Sequence, residues 1–567
     1  MRSIGIIVLV VFLKNLACAQ AHQWIWARAG LNTGKAVTNS VAYDKDGNSL
    51  AIGSYTGTVT FGTSTFTSLG TSNIYLVKYS SSGTLLWARN IQDSGIVNSS
   101  AIIADANGNI YIAGSFTRSA VFENTTVVSF GGEDVFVAKF KPDGTLSWVR
   151  THGSPYRDGV FWGIGLDSRQ NLITTGKFGG GGRNTTMLMD TFTLTSALGM
   201  NIFISKYDSS GKIIWAKQTG NTPDIIAYDL AIDKLDNIFI AGSFGSRAFF
   251  DHLEINSTNE GLVGGGAFLV KLDSSANAQW AKPVSARRPD LGISWGSMEG
   301  ILLTLDSYGN PIFGGNYSGC DIKLEGLYLP PAESQYGIGT YDMWFAKYSS
   351  AGVFQWARVA GSIDPDYLWD ISSDHSGNVY IAGECGEQCV FNSDTAFIPN
   401  QNTDRYSMFV CKYDQNGDVN WLQTNAGNRG TTTRGIAFDP SGEMLVGGGF
   451  AGSSLTLGTS RLTSGGIFNG FVGKMGSYLG IRSTTRSNND ILLFPNPVTD
   501  KLNFVLTEGS KFLNYQITNA IGRSVSCGVL DKQFHQSISL PYLPSGLYYL
   551  QMSGMNKTAT KPFTIRN

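Results

Sequence analysis

The stretch Asn73-Ile-Tyr-Leu-Val-Lys-Tyr-Ser-Ser-Ser-Gly-Thr-Leu-Leu-Trp-Ala-Arg89 contains the pattern that decides the fold. An alternating apolar segment ends in Lys78 and an aromatic residue, a Ser/Gly turn follows, and a second segment carries Trp-Ala-Arg. This Trp motif or a close variant recurs every 61 to 76 residues, at Trp26, Trp87, Trp148, Trp215, Trp280, Trp356 and Trp421. Alternation with a period of two on both sides of a turn indicates a β-hairpin.

A second repeated element precedes these hairpins. It reads as an apolar segment, a turn with Asp, another apolar segment and then Gly, and it occurs at 41–53, 102–114, 164–176, 230–242, 303–315, 371–383 and 436–448. Each element predicts two strands, so each unit is expected to hold four. Seven tandem four-stranded units predict an all-β chain whose main domain is a seven-bladed β-propeller, in which neighbouring blades bury each other's faces.

The two ends of the repeat array complement each other. The chain begins with a lone Trp26 segment, and the last unit ends at 471–475 with no Trp segment after it. We therefore predict that the strand near 24–29 forms the outer strand of the seventh blade and closes a ring over residues 22–476. A linear solenoid would also contain seven units, but it would not explain this complementarity.

The segments 61–87 and 134–148 resemble the bacterial seven-bladed propeller repeats known as SBBP repeats. The resemblance extends over most of the array and implies the propeller fold. It indicates little about activity, because propellers host binding, scaffolding and many enzymes.

The N-terminus has the features of a secretory signal peptide, predicted at residues 1–19. Arg2 precedes an apolar run at 4–13, and Ala17-Cys18-Ala19 offers a cleavage site. The apolar run is too short to span a membrane as a helix, and no later segment comes closer, so no transmembrane segment is expected. A lipoprotein signal is disfavoured because Asn15 stands where such signals have an aliphatic residue.

The charge balance excludes partners that are bound through a broad electrostatic field. The 567 residues include 42 Lys and Arg against 43 Asp and Glu, a net charge of -1. Such a chain would not gather a phosphate backbone or an anionic membrane, so nucleic acid is not expected as a partner.

A different domain follows the array. Residues 477–490 are predicted to form a linker, and 491–567 a small β-sandwich, because Pro495 and Pro497 exclude a helix and the later segments alternate. The motifs Leu492-Leu-Phe-Pro-Asn-Pro497, Ile521-Gly-Arg523 and Leu543-Pro-Ser-Gly-Leu-Tyr-Tyr549 resemble the type A C-terminal sorting domain of the type IX secretion system of Bacteroidota. The resemblance implies export across the outer membrane with the type IX machinery as partner, usual removal of the domain, and a remainder attached to the surface or released. The ending at 561–567 is less basic than many such tails.

Several residues recur in every unit, which favours packing over catalysis. These are the Trp series and Lys78, Lys139, Lys206, Lys271, Lys347, Lys412 and Lys474. The turns at 44–48 and 105–109 resemble the opening of a calcium loop but lack its distal carboxylate, so a plain Asp turn is favoured and calcium is the alternative. Cys385 and Cys389 could form a disulfide, remain thiols or, least favoured, bind a metal. No metal or cofactor is expected.

Function is expected where the units differ, in the long connections around one face. Aligning the units on the turn Asp places Trp162, Tyr228, Trp369 and Arg434 in one column, which Asn39 and Ser100 occupy in the first two units. Asp229 and Asp370 occupy the next column, and Glu299 lies in another variable connection. Aromatic residues beside carboxylates could stack a sugar ring and bind its hydroxyls, could supply an acid/base pair, or could simply pack the rim.

The sequence therefore predicts a secreted or cell-surface propeller with a binding or adhesion function. Its ligand would be a glycan or a protein bound by the seven residues of these columns and connections. The alternative is an extracellular enzyme acting on polysaccharide or peptide at the channel mouth. Hydrolysis needs converging acid, base or metal groups, and Asp229, Glu299 and Asp370 have no evident partner in the sequence, so binding is favoured.

Overall fold

The computed structural model describes residues 22–93, 95–180, 184–197, 199–220, 225–257, 265–287, 297–318, 320–330, 340–386, 389–391, 394–396, 406–425, 430–463, 465–477, 491–494, 501–506, 512–519, 524–529, 535–540, 543–544, 546–554 and 558–565. These residues form strands, turns and bends without a helix, which confirms the all-β class. The chain divides into two compact units, Met1–Tyr478 and Leu479–Asn567. The predicted signal peptide and nearly all of the predicted linker lie outside the described residues.

Within the described residues, the first half of the repeat array contains twenty-four strands. They are β1 (His22–Ala29), β2 (Leu31–Asn32), β3 (Ala36–Tyr43), β4 (Ser49–Tyr55), β5 (Thr58–Phe61), β6 (Ser64–Thr67), β7 (Asn73–Tyr79), β8 (Leu85–Asp93), β9 (Val97–Ala104), β10 (Ile110–Phe122), β11 (Thr125–Phe140), β12 (Leu146–His152), β13 (Ile164–Leu166), β14 (Leu172–Gly179), β15 (Thr185–Met189), β16 (Phe192–Ser196), β17 (Met200–Tyr207), β18 (Ile213–Thr219), β19 (Ile226–Ile232), β20 (Ile238–Phe244), β21 (Arg247–Phe250), β22 (Leu253–Asn256), β23 (Gly266–Leu272) and β24 (Ala278–Arg287).

The second half continues the same succession. Its strands are β25 (Ser297–Leu305), β26 (Pro311–Ser318), β27 (Asp321–Leu324), β28 (Leu327–Leu329), β29 (Tyr341–Tyr348), β30 (Phe354–Gly361), β31 (Tyr367–Ser373), β32 (Val379–Cys385), β33 (Cys389–Phe391), β34 (Asp394–Ala396), β35 (Ser407–Tyr413), β36 (Val419–Asn425), β37 (Thr431–Phe438), β38 (Met444–Ala451), β39 (Ser454–Leu457), β40 (Ser460–Thr463) and β41 (Phe468–Ser477).

These strands pair in antiparallel groups of four. In chain order the groups are β3-β4-β7-β8, β9-β10-β11-β12, β13-β14-β17-β18, β19-β20-β23-β24, β25-β26-β29-β30, β31-β32-β35-β36 and β37-β38-β41-β1. The last group takes its fourth strand from the start of the chain, because β1 pairs with β41 from His22 opposite Ser477 to Ala29 opposite Phe471.

The connection between the second and third strands of a group holds a further hairpin, which the four-strand prediction missed. It is formed by β5-β6, β15-β16, β21-β22, β27-β28, β33-β34 and β39-β40, and in the second group by the paired ends of β10 and β11. Several of these hairpins pair with an earlier strand of the chain: β10 with β8, β27 with β24, and β33 with β30. A unit of the array therefore contains up to six strands.

The second and third strands are buried on both faces. In β4, Leu50 and Ile52 pack toward the second group, whereas Ala51 packs toward β41 and β38. All seven residues of β7 are buried. Since both faces meet another sheet, these strands read as continuous apolar runs instead of alternating ones.

Five of the seven repeated Trp residues bond their own group to the next one. The indole Nε1 donates to a carbonyl in the turn between the third and fourth strands of the following group: Trp26 to Ser81 (3.0 Å), Trp87 to Pro142 (3.1 Å), Trp148 to Ser209 (3.1 Å), Trp280 to Ser350 (3.3 Å) and Trp356 to Gln415 (2.9 Å). Gly83 in one such turn has a φ of 80°, and a Cβ there would lie 2.6 Å from the Trp26 ring. The Trp series is therefore structural, as the recurrence predicts.

The repeated Lys residues pair with the turn Asp of their own group. The Nζ to carboxylate distances are 2.7 Å for Lys78–Asp44, 3.9 Å for Lys139–Asp105, 2.7 Å for Lys206–Asp167, 3.8 Å for Lys271–Asp233, 2.8 Å for Lys347–Asp306, 3.3 Å for Lys412–Asp374 and 3.6 Å for Lys474–Asp439. The carboxylate of Asp44 also accepts the backbone N–H groups of Asp46 and Asn48, both at 2.9 Å. Although burial opposes it, the Lys78 ammonium and the Asn48 donors hold the pKa of Asp44 below its usual value. These contacts support the Asp-turn interpretation.

The second unit contains two antiparallel sheets. Its strands are β42 (Ile491–Phe494), β43 (Lys501–Leu506), β44 (Phe512–Asn519), β45 (Ser524–Val529), β46 (His535–Ser539), β47 (Gly546–Gly554) and β48 (Thr558–Ile565), paired in the orders β42-β43-β46 and β45-β44-β47-β48. Leu502 and Ile538 from the first sheet share one core with Ile517 and Leu550 from the second.

Candidate functional site

In five of the seven groups, the first strand contains a β-bulge at the position that the unit alignment placed in one column. The pairing of β3 with β4 skips Asn39, that of β9 with β10 skips Ser100, and those of β19, β31 and β37 with their partners skip Tyr228, Trp369 and Arg434. A bulge adds one residue to a strand and redirects its side chain. The bulges therefore set the column residues apart from the side chains that pack between sheets.

The remaining two groups depart from this arrangement in different ways. Trp162 lies just before β13, between the Gly159–Lys177 bridge and the Ile164–Thr174 pair, and its N–H donates to the Tyr228 carbonyl at 2.8 Å. In the fifth group the pairing of β25 with β26 shifts between Glu299 and Leu302.

Five of the aligned column residues line one cavity of about 220 Å³. The lining consists of Asn39, Asn98, Ser99, Ser100, Phe161, Trp162, Trp369 and Arg434. These residues come from the first three groups and the last two. The structure thus brings together Trp162, Trp369 and Arg434, which the alignment placed in one column.

Aromatic rings and one guanidinium form one side of this cavity. The centroid of the Phe161 ring lies 4.8 Å from that of Tyr228, and the Trp162 centroid lies 6.4 Å from it. Tyr228 therefore supports the lining from behind. The Arg434 Cζ lies 4.0 Å from the centroid of the Trp369 ring, a cation–π contact.

The unfavourable burial of the Arg434 charge is partly compensated by a nearby carboxylate. Trp369 Nε1 donates to Glu384 Oε1 at 3.2 Å. Burial lowers the pKa of Arg434, and the nearby Glu384 carboxylate opposes that effect. The Nε atom of Arg434 is buried and has no hydrogen-bond partner among the described residues. Arg434 therefore contributes a positively charged side chain to the cavity lining, with its Nε atom buried beneath the surface.

Amide and hydroxyl groups form the polar side. Asn39 Nδ2 donates to Ser54 Oγ and to Ser99 Oγ, both at 3.0 Å, and Ser100 Oγ donates to the Val160 carbonyl at 2.7 Å. These bonds hold the side chains of Asn39 and Ser100, both of which line the cavity. The polar lining is therefore pre-positioned.

The two column carboxylates make backbone contacts and are not among the cavity lining. Asp229 accepts the N–H of Leu303 in the following group at 2.9 Å, and Asp370 accepts that of Ile436 at 2.7 Å. Burial raises the pKa of Asp370 to about 7 and raises that of Asp229 well above its usual value. Both carboxyl groups therefore connect one first strand to the next.

Glu299 occupies a separate position. Its side chain is exposed. Burial and, to a lesser extent, the Glu299 carboxylate raise the pKa of Tyr228. Of the seven predicted residues, Trp162, Trp369 and Arg434 line the cavity, Tyr228 supports it, and Asp229, Asp370 and Glu299 lie outside its lining.

The alignment missed four residues of this site. Asn98, Ser99 and Phe161 line the cavity, and Glu384 bonds to Trp369. The first three are sequence neighbours of Ser100 or Trp162, so extending the column by two positions would have found them. Glu384 lies on β32 and gives no signal in the sequence, because its closeness to Trp369 arises from strand pairing.

Comparison with known families identifies two parts of the chain. The beta-propeller repeat family matches residues 214–243, and the secretion system C-terminal sorting domain matches residues 492–566. The sorting domain marks proteins that the type IX secretion system exports to the cell surface or the extracellular space. The chain is therefore an exported protein with propeller repeats. Within the described residues, no helix is long and apolar enough to cross a membrane.

Two curated relatives match parts of the chain. An uncharacterized WD repeat-containing protein of Acanthamoeba polyphaga mimivirus is 22% identical over 555 residues, covering 82% of this chain and 39% of that protein. The regulatory protein FlaEY of Caulobacter vibrioides is 26% identical over 110 residues, covering 19% of this chain and 12% of its own. The chain thus spans less than two fifths of the length of either relative.

Solved structures are more distant. A protein of unknown function from Dyadobacter fermentans is 10% identical with a TM-score of 0.35, covering 80% of this chain and 99% of its own. A gluconolactonase from Xanthomonas campestris is 9% identical with a TM-score of 0.28, covering 81% of this chain and 99% of its own.

Proposed function

We propose that the protein is an exported binding protein that holds a small sugar unit in a cavity at the centre of a closed seven-bladed β-propeller. The propeller would occupy residues 22–476, followed by a linker at 477–490 and the sorting domain at 491–567. Attachment to a glycan would give the exported protein an adhesive function.

Two observations support the closed ring. The first strands of successive groups lie beside one another in the order β3, β9, β13, β19, β25, β31, β37, and β37 in turn lies beside β3. In addition, Trp26 on β1 donates to Ser81 of the first group in the same way as Trp87 donates to Pro142 of the second. The contact between the last group and the first therefore repeats the contact between the first and the second.

The single observation that carries the binding proposal is the chemistry of the cavity. Phe161, Trp162 and Trp369 offer aromatic surface, while Asn39 and the Ser residues beside it offer hydrogen-bonding groups. Sugars present an apolar ring face and a rim of hydroxyls, and this combination of groups suits both. The volume of about 220 Å³ is below the roughly 300–1,000 Å³ usual for drug-sized ligands, which favours a single terminal sugar unit.

Arg434 would make the site prefer acidic sugars to neutral ones. Its guanidinium group lines the cavity, and a ligand carboxylate would interact with the guanidinium charge. We therefore expect glycans ending in an acidic sugar to bind more tightly than their neutral counterparts.

The placement of the carboxyl groups favours binding over hydrolysis. A glycosidase needs two carboxyl groups on either side of the scissile bond. Asp229 and Asp370 are instead bonded to backbone N–H groups of the following sheets, and Glu299 lies outside the cavity lining.

A glycan array probed with the purified full chain tests the proposal. We expect binding to glycans with a terminal sugar, and a loss of at least about tenfold in affinity, or about 1.4 kcal/mol, in both Trp162→Ala and Trp369→Ala. The matched control is Tyr308→Ala, since Tyr308 is an exposed aromatic residue that does not line the cavity.

Three outcomes would count against the proposal. Unchanged binding in both Trp variants would move the site elsewhere, and equal loss in Tyr308→Ala would indicate a general effect of aromatic surface. Turnover of a bound glycan that Asp370→Asn abolishes would favour the enzyme.

A further inference from the structure

Six of the seven groups bury an aromatic residue and a second apolar residue in one core cluster, at positions where the remaining group has two cysteines. At the end of the second strand, two residues after a Gly, six groups have an aromatic residue: Tyr55, Phe116, Phe178, Phe244, Tyr317 and Phe450. Each of these is buried in one core cluster with an aliphatic residue from the hairpin that follows, in the same order Val59, Ala120, Met187, Ala248, Ile322 and Leu455. The sixth group has Cys385 at the first position and Cys389 at the second.

The two thiols lie close together and away from solvent. Cys385 ends β32, Cys389 begins β33, and neither has exposed surface. Their Sγ atoms lie within 4.8 Å of each other. The two thiols therefore lie close together at positions that share one core cluster in every other group, and this arrangement favours a covalent bond between them.

Asp366 completes a cluster that could be read as a metal site, but its contacts have another explanation. Its carboxylate accepts the Gly386 N–H at 2.8 Å and bonds to the backbone N–H and hydroxyl of Ser362. Asp158 makes the same three contacts with Gly179 and Ser154, in a group where the position of Cys385 is a Phe. The Asp therefore shapes a loop common to both groups and does not depend on the cysteines.

We propose that Cys385 and Cys389 form a disulfide in the exported protein. Export takes the chain out of the reducing cytoplasm, where thiols remain reduced, into a compartment where disulfides persist. The two thiols lose two electrons and two protons, and the disulfide of a thiol oxidoreductase accepts them and becomes a dithiol. The bond would link β32 to the hairpin that begins with β33, in place of the aromatic contact of the other groups.

The timing of this reaction follows from burial. The thiolate is the attacking species, and burial raises the pKa of both Cys385 and Cys389 in the folded chain. Oxidation is therefore expected before the core of the sixth group closes, and the finished bond would be shielded from reductants.

The test is alkylation of the exported protein after unfolding in guanidinium, with and without reductant. Trypsin releases both cysteines in the peptide 359–405. Without reductant we expect this peptide to carry no alkyl group and to weigh about 2 Da less than the dithiol, since forming a disulfide removes two hydrogens. With reductant it should carry two alkyl groups. The peptide that contains Cys411 is the internal control, because that thiol should be alkylated in both samples.

A double variant distinguishes the effect of the disulfide on stability from the effect of the packing at the same two positions. Cys385→Phe combined with Cys389→Ala introduces the pair found in the second and fourth groups, and the melting temperature of this variant should not respond to reductant present during refolding. The natural protein refolded in reductant should melt at a lower temperature than when refolded oxidised. Two alkyl groups on the peptide without reductant would overturn the proposal, as would one equivalent of zinc released together with both thiols.

Discussion

The fourth strands and the first strands of the groups use tryptophan in different ways. Trp148 on a fourth strand has counterparts at the same position in every unit, and its indole bonds to the turn of the next group. Trp369 on a first strand has none at its own position except Trp162, and it occupies a bulge beside a cavity. The same residue type thus fastens sheets together in one region and lines a cavity in the other.

This difference separates stability from recognition. A repeated contact is needed at every sheet interface, so each copy is constrained by packing, whereas a bulged residue is left out of the strand ladder and its side chain is redirected. We therefore expect substitutions in the repeated contacts to lower the free energy of unfolding and those in the bulges to lower affinity. The following predictions test that separation, from the largest expected effect on stability to the smallest.

Removal of residues 22–29 should have the largest effect, because it takes the fourth strand away from β41 together with the buried Trp26. We expect a loss of more than about 5 kcal/mol, the upper end for truncating a single buried Trp. The measurement is denaturant unfolding, with removal of 491–567 as the control that leaves the array folded. An unchanged midpoint without the N-terminal strand would refute the closed ring.

Lys347→Met should cost about 3–5 kcal/mol, because it leaves the fully buried Asp306 carboxylate without its cation. Although burial alone would raise it, the Lys347 ammonium holds the pKa of Asp306 below its usual value. The pair therefore stabilises the folded chain above the unfolded pKa of Asp, and its contribution disappears as the pH falls through the folded pKa. The loss in the variant should accordingly shrink between pH 7 and pH 3. The matched control is Lys282→Met, which breaks the more exposed pair with Glu325 and should cost less than about 1 kcal/mol.

Asp370→Asn should reduce the pH dependence of stability by about 2 kcal/mol between pH 5 and pH 8. Burial raises the pKa of Asp370 to about 7, so the folded chain binds a proton that the unfolded chain has already released near pH 4. This group therefore makes the natural protein less stable as the pH rises toward 7. Denaturant unfolding at both pH values measures the effect, and Asp46→Asn, at an exposed turn position, serves as control. Identical pH profiles for Asp370→Asn and the natural chain would contradict the prediction.

Arg434→Gln should change stability by less than about 1 kcal/mol, because the Nε atom it removes is buried without an acceptor. Binding of acidic glycans should nevertheless fall at least about tenfold. Thermal melting and glycan titration of the same preparation compare the two effects. A large loss of stability with affinity retained would assign Arg434 to the structural contacts and reverse the comparison.

The strand succession could be predicted because several independent copies carry the same local signals. The apolar segment before Lys78, the Asp turn at Asp44 and the Trp motif each identify a strand or a turn, and their recurrence removes ambiguity, although the segment before Lys78 is buried on both faces and does not alternate as expected. The pairing of β1 with β41 followed from the missing strand at the other end of the array. The additional hairpins were missed although the alternation of Thr58–Phe61 and the Gly that follows it signal a hairpin.

The candidate site could be predicted only in part. Trp162, Trp369 and Arg434, which the alignment placed in one column, line the cavity, whereas Tyr228 of the same column was expected to bind the ligand and instead packs near Trp162. Asp229 and Asp370 were expected to face a ligand, whereas their carboxyl groups bond to the next first strand. Adjacent residues of a strand point to opposite faces, so a neighbouring column need not share the direction of the first.

The sequence by itself determined the strands, the turns and the repeated contacts, because period-two alternation, turn residues and a recurrent Trp motif are local and occur in every unit. Only the tertiary structure decided which variable residues meet, since Asn39 and Arg434 line the same cavity although they are nearly 400 residues apart. That convergence depends on the arrangement of the sheets and on where each first strand bulges. A one-residue change in register redirects a side chain to the other face of its sheet, and no local pattern specifies it.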